Sequence, residues 1–239
     1  MIYLYTDFSV RDFYTGQMHA AILQQNAEAK VVDLFHYADA RDIEGSARLL
    51  ARLYEYTPAG AVIACVVDPG VGGSRKPLII EVGGRWLVGP DNGLFSLILR
   101  NNEAAVCREI LWRPERLSNT FHGRDLFAPV AAMLDSGEMP GTRFCEPWMP
   151  DWPLQSQRII YRDHYGNLMT GLLGASIDPD TVFVVNGHPV VHANRFSAVE
   201  KDQTFWMINS IGLVEIAANL SDASERLKAS VGDDVLVQA

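Results

Sequence analysis

The sequence predicts an α/β fold: an N-terminal α/β domain with a mostly parallel central sheet, joined to a small C-terminal all-β domain. Three observations carry that expectation. In residues 1–145 short apolar runs alternate with helically spaced ones, the pattern of βαβ units. Between Pro140 and Pro153 the chain holds four prolines and two tryptophans without periodicity, which marks residues 146–157 as a linker. From 158 to 239 the apolar segments are short and separated by turns, as in small all-β domains.

Residues 2 to 5 read as a first strand ending at Thr6-Asp7-Phe8-Ser9. Asp12 then stands where a helix N-cap would, ahead of Tyr14, Met18, Ala21 and Ile22 at helical spacing. Val31-Val32-Asp33-Leu34 is a second strand followed by His36, and residues 43 to 57 a helix stopped by Pro58 and Gly60. The six apolar residues Val62 to Val67, four of them β-branched, fit a strand covered on both faces. Asp68 ends that strand. Pro69 pushes Asp68 toward an extended backbone, and Gly70, Gly72 and Gly73 allow a tight turn up to Arg75. A carboxylate is thereby projected from the C-terminal end of a strand, where ligands of open α/β sheets bind.

Gly83-Gly84 between Pro77–Val82 and Arg85–Val88 signals a hairpin, and Gly89-Pro90-Asp91-Asn92-Gly93 is a second polar turn before a helix from about Leu94 to Arg100. Phe121-His122-Gly123-Arg124-Asp125 introduces a helix with Leu126, Val130, Met133 and Leu134 at helical spacing and Gly137 at its end. In the C-terminal domain Arg158–Tyr161, Thr181–Val185, Phe205–Ile208, Val214–Ala217 and Val235–Val237 read as strands, with Asp163 to Asn167 in a turn.

Composition narrows the function. Hydrophobic residues make up 48% and charged residues 21%, as in ordinary globular proteins, and no apolar run approaches the roughly 20 residues of a membrane helix. The formal charge, 20 − 29 = −9, comes without a basic cluster, which disfavours nucleic acid as a partner. The start shows no basic n-region of a secretory signal, and Cys65, Cys107 and Cys145 are odd in number and far apart in sequence, so a reducing cytoplasm is the expected compartment. No dinucleotide fingerprint, phosphate loop, nucleophile elbow or H-E-x-x-H motif occurs, and no metal site is expected. His188 and His192 are four apart, but Gly187 and Pro189 oppose a helix that would pair them on a metal.

Two arrangements remain as candidate chemistry. Asp68 with Arg75 either pairs for structure or orients a small polar molecule, and the segment alone leaves both open. His122, beside Gly123 and close to Arg124 and Asp125, is the other; spacing alone does not separate a catalytic from a structural histidine.

Collected in order, these residues resemble the S-adenosyl-L-methionine hydroxide adenosyltransferases, relatives of fluorinase and chlorinase. The resemblance runs through Thr6-Asp7-Phe8 with Asp12 and Tyr14; Asp33-Leu34-Phe35-His36; Val66 to Gly72 through Arg75; Gly89 to Gly93; Phe121 to Asp125; Asp163 to Asn167; and Asn209 to Gly212 with Glu215-Ile216-Ala217. It implies a seven-stranded sheet in the N-terminal domain (1–145), a β-barrel in the C-terminal domain (158–239), and a homotrimer whose sites lie between neighbouring subunits. The implied reaction is S-adenosyl-L-methionine plus water giving adenosine and L-methionine, with no cofactor. The family's Asp-Arg-His set falls on Asp68, Arg75 and His122, with Asp68 and His122 orienting and deprotonating the water. Asp7 matches the residue on the ribose hydroxyls, Asp163 the one on the methionine ammonium, Asn167 the one near adenine and ribose, and Ser210 the one near the methionine carboxylate. Turn capping is the plain alternative for Asp163 and Asn167. Three departures stand out: Ser9 for a usual Gly, Met169 for an aromatic seen in the fluorinase, and Gly171 for a common Asn. A halide-using relative and a nucleoside-binding protein without turnover are the competing readings.

Overall fold

Strand β1 (Ile2–Thr6) buries Ile2, Leu4 and Tyr5 completely, and consecutive side chains in a strand point to opposite faces. Both faces of the sheet are therefore covered. Ile2 and Leu4 pack with Met18 and Ile22 of α1 (Tyr14–Gln25), while the Tyr5 hydroxyl donates to the carbonyl of Ser46 in α2 (Ile43–Tyr54). The computed structural model describes residues 1–102 and 104–238 and divides into two compact units, Met1–Asp151 and Trp152–Ala239.

The first unit continues with β2 (Val31–Phe35), β3 (Val62–Val66), β4 (Pro77–Val82), β5 (Arg85–Pro90), the short α3 (Ser96–Leu99), β6 (Val106–Ile110), α4 (Ala128–Asp135) and β7 (Thr142–Phe144). The strand order is β2-β1-β3-β5-β4-β6-β7. The pairs β1–β2, β1–β3 and β3–β5 are parallel, and β5–β4, β4–β6 and β6–β7 antiparallel. The expected mostly parallel sheet is therefore corrected to a mixed one. The cause is the Gly83-Gly84 turn, with φ of 53° and 71°, which folds β4 back beside β5 so that it lies reversed between β5 and β6. Strand β7 then adds antiparallel at the edge.

Local signals differ in detail from the expectations. Helix α1 starts after Phe13 without a side-chain cap, so Asp12 does not cap it, whereas Asp42 caps α2 by accepting from the Gly45 N–H at 2.9 Å. Residues Gly123–Phe127 form one π-helical turn that runs into α4, which packs against α1 through Val130, Ala131 and Leu134 in one buried cluster.

The second unit contains β8 (Ser156–Arg162), β9 (Leu168–Leu173), β10 (Phe183–Val185), β11 (His188–His192), β12 (Thr204–Ile208), β13 (Leu213–Ala218), a short α5 (Ala223–Leu227) and β14 (Leu236–Val237), in the order β14-β10-β11-β12-β13-β9-β8. Residues 232–235 lie against β8, with Ile159 N–H to Asp233 O at 2.9 Å and Val235 N–H to Gln157 O at 2.7 Å. Since β14 also pairs with β10, the two edges of the sheet approach closure as a barrel. Its interior is filled by Ile159, Leu168, Phe183, Val190, Trp206 and Val214.

Candidate active site

Strand β1 pairs in parallel with β3 through Thr6 and Val66, so Asp7 and Asp68 emerge at the same C-terminal edge. The chain leaves β1 for β2 on one side and returns to β3 on the other, which makes this edge the topological switch point of the sheet. Among the described residues Asp7 Oδ1 is buried without a hydrogen-bond partner. Burial, then the charges of Asp68 and Asp39, lift the Asp7 pKa to about 6 against the lowering pull of its own backbone N–H. The backbone here is set by Thr6, whose Oγ1 lies 2.8 Å from His36 Nδ1 and accepts from the Phe8 N–H at 3.2 Å. His36 Nε2 lies 3.0 Å from Asp33 Oδ1, and the residue is 3% exposed. His36 is thus a packed structural histidine. Ser9 takes φ of 61°, the left-handed region in which glycine is usual, and its Oγ accepts from the Arg11 N–H at 3.1 Å.

The turn after β3 brings Arg75 back onto Asp68. Arg75 Nε lies 2.9 Å from each Asp68 carboxylate oxygen, and Nη2 also donates to Oδ2. The same Nη2 lies 2.7 Å from His122 Nδ1. One guanidinium nitrogen therefore joins residues drawn from two distant parts of the sequence. The Asp68 and Arg75 side chains are only 4% and 11% exposed. The guanidinium carbon sits 5.6 Å from the centroid of the buried Phe127 ring, which limits its movement.

A guanidinium can only donate, so His122 Nδ1 accepts, and the proton of the neutral ring is on Nε2. Burial, then the Arg75 charge, hold the His122 pKa below its usual value of 6.5, with Arg113 adding to the depression and Asp68 and Asp125 opposing it. Arg124 and Asp125 do not join this cluster. They pair with each other, Arg124 Nε to Asp125 Oδ1 at 2.6 Å, and Asp125 Oδ2 takes the Ser118 N–H at 2.8 Å, bracing the segment that carries His122. Asn92 supports the other side, donating from Nδ2 to Val67 O at 2.8 Å just before Asp68.

The remaining three predicted residues, Asp163, Asn167 and Ser210, come together in the second unit. They line a hollow of about 860 Å³ with Met169, Phe196 and Met207. Asp163 caps its own turn: Oδ1 accepts from the N–H groups of Tyr165 and Asn167 at 2.9 Å, and Oδ2 from Asn167 Nδ2 at 2.9 Å. Glu215 faces the same hollow from β13 and is 5% exposed, with Oε2 accepting from Asn209 Nδ2 at 3.0 Å. Burial, helped by the Asp163 charge and opposed by the Asn209 bond, raises its pKa. The sequence reading assigned Glu215 no role; the available signal was a carboxylate inside the otherwise apolar run Leu213–Ala218.

Among the described residues no group of three or more His, Cys, Asp or Glu side chains has an arrangement that could hold a metal ion. His188 and His192 lie on the extended β11, where four residues span about 13 Å, and the His192 ring lies tilted by 43° against Trp206, with centroids 4.4 Å apart.

The sequence matches the family profile "SAM hydroxide adenosyltransferase N-terminal domain" over residues 2–143 and "SAM hydroxide adenosyltransferase C-terminal domain" over residues 157–236. A Salinispora arenicola protein named "(R)-S-adenosyl-L-methionine hydrolase" is 34% identical, the alignment covering 98% of this chain and 96% of that protein. A Thermus thermophilus protein of the same name is 33% identical over 97% of this chain and 96% of its own. The crystal structure of an uncharacterized conserved protein from Thermotoga maritima superposes with a TM-score of 0.89 at 29% identity, covering 100% of both chains. Two adjoining profile matches across both units and near-complete alignment at about a third identity settle the relationship: the chain belongs to the SAM hydroxide adenosyltransferase family.

Proposed function

We propose that this chain hydrolyses S-adenosyl-L-methionine to adenosine and L-methionine, a water oxygen displacing the sulfonium in line at the ribose 5′ carbon. Family membership and the full-length relatives named for that hydrolysis support the reaction. The observation that carries the mechanism is the Arg75 Nη2 contact to both Asp68 and His122. The sulfonium is already a good leaving group, and the nucleophile is the weak partner, because water has a pKa of about 15.7. A cationic, largely desolvated guanidinium favours the developing hydroxide, and a positioned base takes the proton as the bond forms.

Asp68 is the base in this reading. Arg75 occupies His122 Nδ1, and His122 Nε2 carries a proton, so the neutral imidazole offers a donor that orients the water oxygen rather than a site that accepts its proton. A carboxylate offers about four lone-pair directions, and Asp68 commits three to Arg75. Asp7, its Oδ1 unpartnered, takes the adjacent ribose hydroxyls. Asp163, Asn167 and Ser210 serve the methionine and adenine ends, with Glu215 as a second carboxylate facing their hollow. The resemblance further suggests a homotrimer, with the N-terminal unit of one protomer and the C-terminal unit of its neighbour completing each site, and no cofactor; the cysteine usage suggests a reducing cytoplasm as its compartment.

The test is incubation with S-adenosyl-L-methionine in water labelled with heavy oxygen, with and without chloride. Labelled adenosine formed equally in both supports hydrolysis, and 5′-chloro product would overturn it. Asp68→Ala and His122→Ala each lower turnover roughly a hundredfold or more while substrate still binds. Near-unchanged adenosine release from either variant removes that residue from the mechanism.

A further inference from the structure

We propose that Cys107 and Cys145 are a modification site: a thiol pair that closes to an intramolecular disulfide under two-electron oxidation and reopens with a dithiol. The two are 38 residues apart in sequence, yet the β6–β7 register, with Arg108 opposite Phe144 and Glu109 opposite Arg143, continues by one step to bring them opposite each other. The Cys145 N–H donates to Cys107 O at 3.2 Å, which completes that step. Directly opposed residues in a hydrogen-bonded antiparallel pair have Cα atoms about 5.5 Å apart, inside the 4.4–6.8 Å window that a disulfide spans. Their sulfurs already touch at 3.6 Å. Side-chain rotation with a small approach of the two Cβ atoms brings the sulfurs to the roughly 2.05 Å bond length.

The pair is also reachable. Both cysteines are free and partly exposed, and with Ala105, Val106, Phe144 and Glu146 they line a surface hollow of about 540 Å³. Cys65, by contrast, is fully buried in β3. Burial, then the neighbouring Cys145, Asp91 and Glu146, push the Cys107 thiol up, so it rests protonated. A protonated Cys107 is a slow nucleophile, so conversion calls for a strong oxidant.

With hydrogen peroxide the balance is two thiols plus peroxide giving one disulfide and two waters. One thiolate attacks a peroxide oxygen and becomes a sulfenic acid as hydroxide leaves, and the second sulfur then attacks the sulfenic sulfur, expelling water. The closed loop contains His122 and all of α4, and ties the three-residue edge strand β7 to β6. The chain leaving Cys145 is held beside the site-supporting turn, since the Trp148 N–H donates to Asp91 Oδ1 at 2.7 Å. None of the residues assigned above to binding or catalysis takes part.

The experiment treats the full-length protein with diamide or hydrogen peroxide, then measures denatured thiol content, intact mass and a non-reducing peptide map. The expected result is a fall from three titratable thiols to one, a loss of about 2 Da, a crosslinked peptide joining Cys107 to Cys145, and a melting temperature several degrees higher that dithiothreitol reverses. Cys65→Ser keeps the mass loss; Cys107→Ser and Cys145→Ser each abolish it. Three thiols persisting in the oxidised wild type, covalent dimers in place of the internal link, or isolated sulfinic acid on either cysteine would overturn the proposal.

Discussion

At the scale of single residues, Asp7 and His122 are both held in the state that is harder to charge, with opposite consequences. Asp7 has its pKa lifted from 3.8 to about 6, so charging it in the folded chain is unfavourable. Below pH 3.8 both folded and unfolded forms are protonated and the fold bears no cost; the cost accrues as pH rises through about 6 and is constant above. Asp7→Asn therefore stabilises the protein above that range, on the order of 2 kcal/mol after solvent screening, and has little effect near pH 3.5. Thermal melts at the two pH values check the sign. The same variant raises KM, because the ribose hydroxyls lose a carboxylate acceptor in the proposed reaction. His122 is needed neutral, and its depressed pKa keeps it so at and above pH 6.5. The expected profile has a kcat limb that falls below pH 6.5 on account of His122, and a separate KM limb near pH 6 from Asp7. Asp7→Asn removes the second limb alone. A kcat that rises on acidification would mean that protonated His122 is the working form.

At the scale of elements, the site depends on two turns holding each other. Gly72 has φ of 76°, and a Cβ there would sit 2.3 Å from the carbonyl oxygen of Asn119, three residues before His122. Gly72→Ala thus strains its own turn and pushes away the segment that carries the imidazole. Stability falls by roughly 2 kcal/mol, and kcat drops more than KM rises. A variant with wild-type kcat and an unchanged melting point would show that the two turns are not coupled. The turn after β3 and the Gly83-Gly84 hairpin were legible because proline and glycine restrict or free the backbone locally. The position of β4 between β5 and β6 was not, since strand order is set by pairing between distant segments. Strand β7 has three residues, too few for a period to show. The contact of Cys107 with Cys145 arises from register alone, so their separation in sequence suggested the opposite. Among the predicted site residues, Asp68, Arg75 and His122 were recognisable through family motifs rather than spacing, and Asp163 retains in full the turn-capping role that the plain reading gave it.

At the scale of the whole molecule, the residues that the proposed reaction needs are divided between two units with separate apolar cores. Asp7, Asp68, Arg75 and His122 stand on the first, and Asp163, Asn167, Ser210 and Glu215 on the second. Damage to one core should then abolish turnover without dismantling the other half of the chemistry. Trp206 is the sharpest place to test this. It is fully buried in the core of the second unit, packs edge-on against Phe183 at 5.3 Å, and donates from Nε1 to Thr181 O at 2.8 Å. Trp206→Ala leaves a cavity and an unpaired carbonyl, costing about 3–5 kcal/mol, a large share of what an 88-residue unit (152–239) has to lose. Hydrogen exchange should show β12 and β13 losing protection while β1 and β3 keep theirs, and adenosine production should cease. If β1 and β3 lose protection at the same denaturant concentration, the two cores unfold as one. The division of binding residues would then have no energetic counterpart.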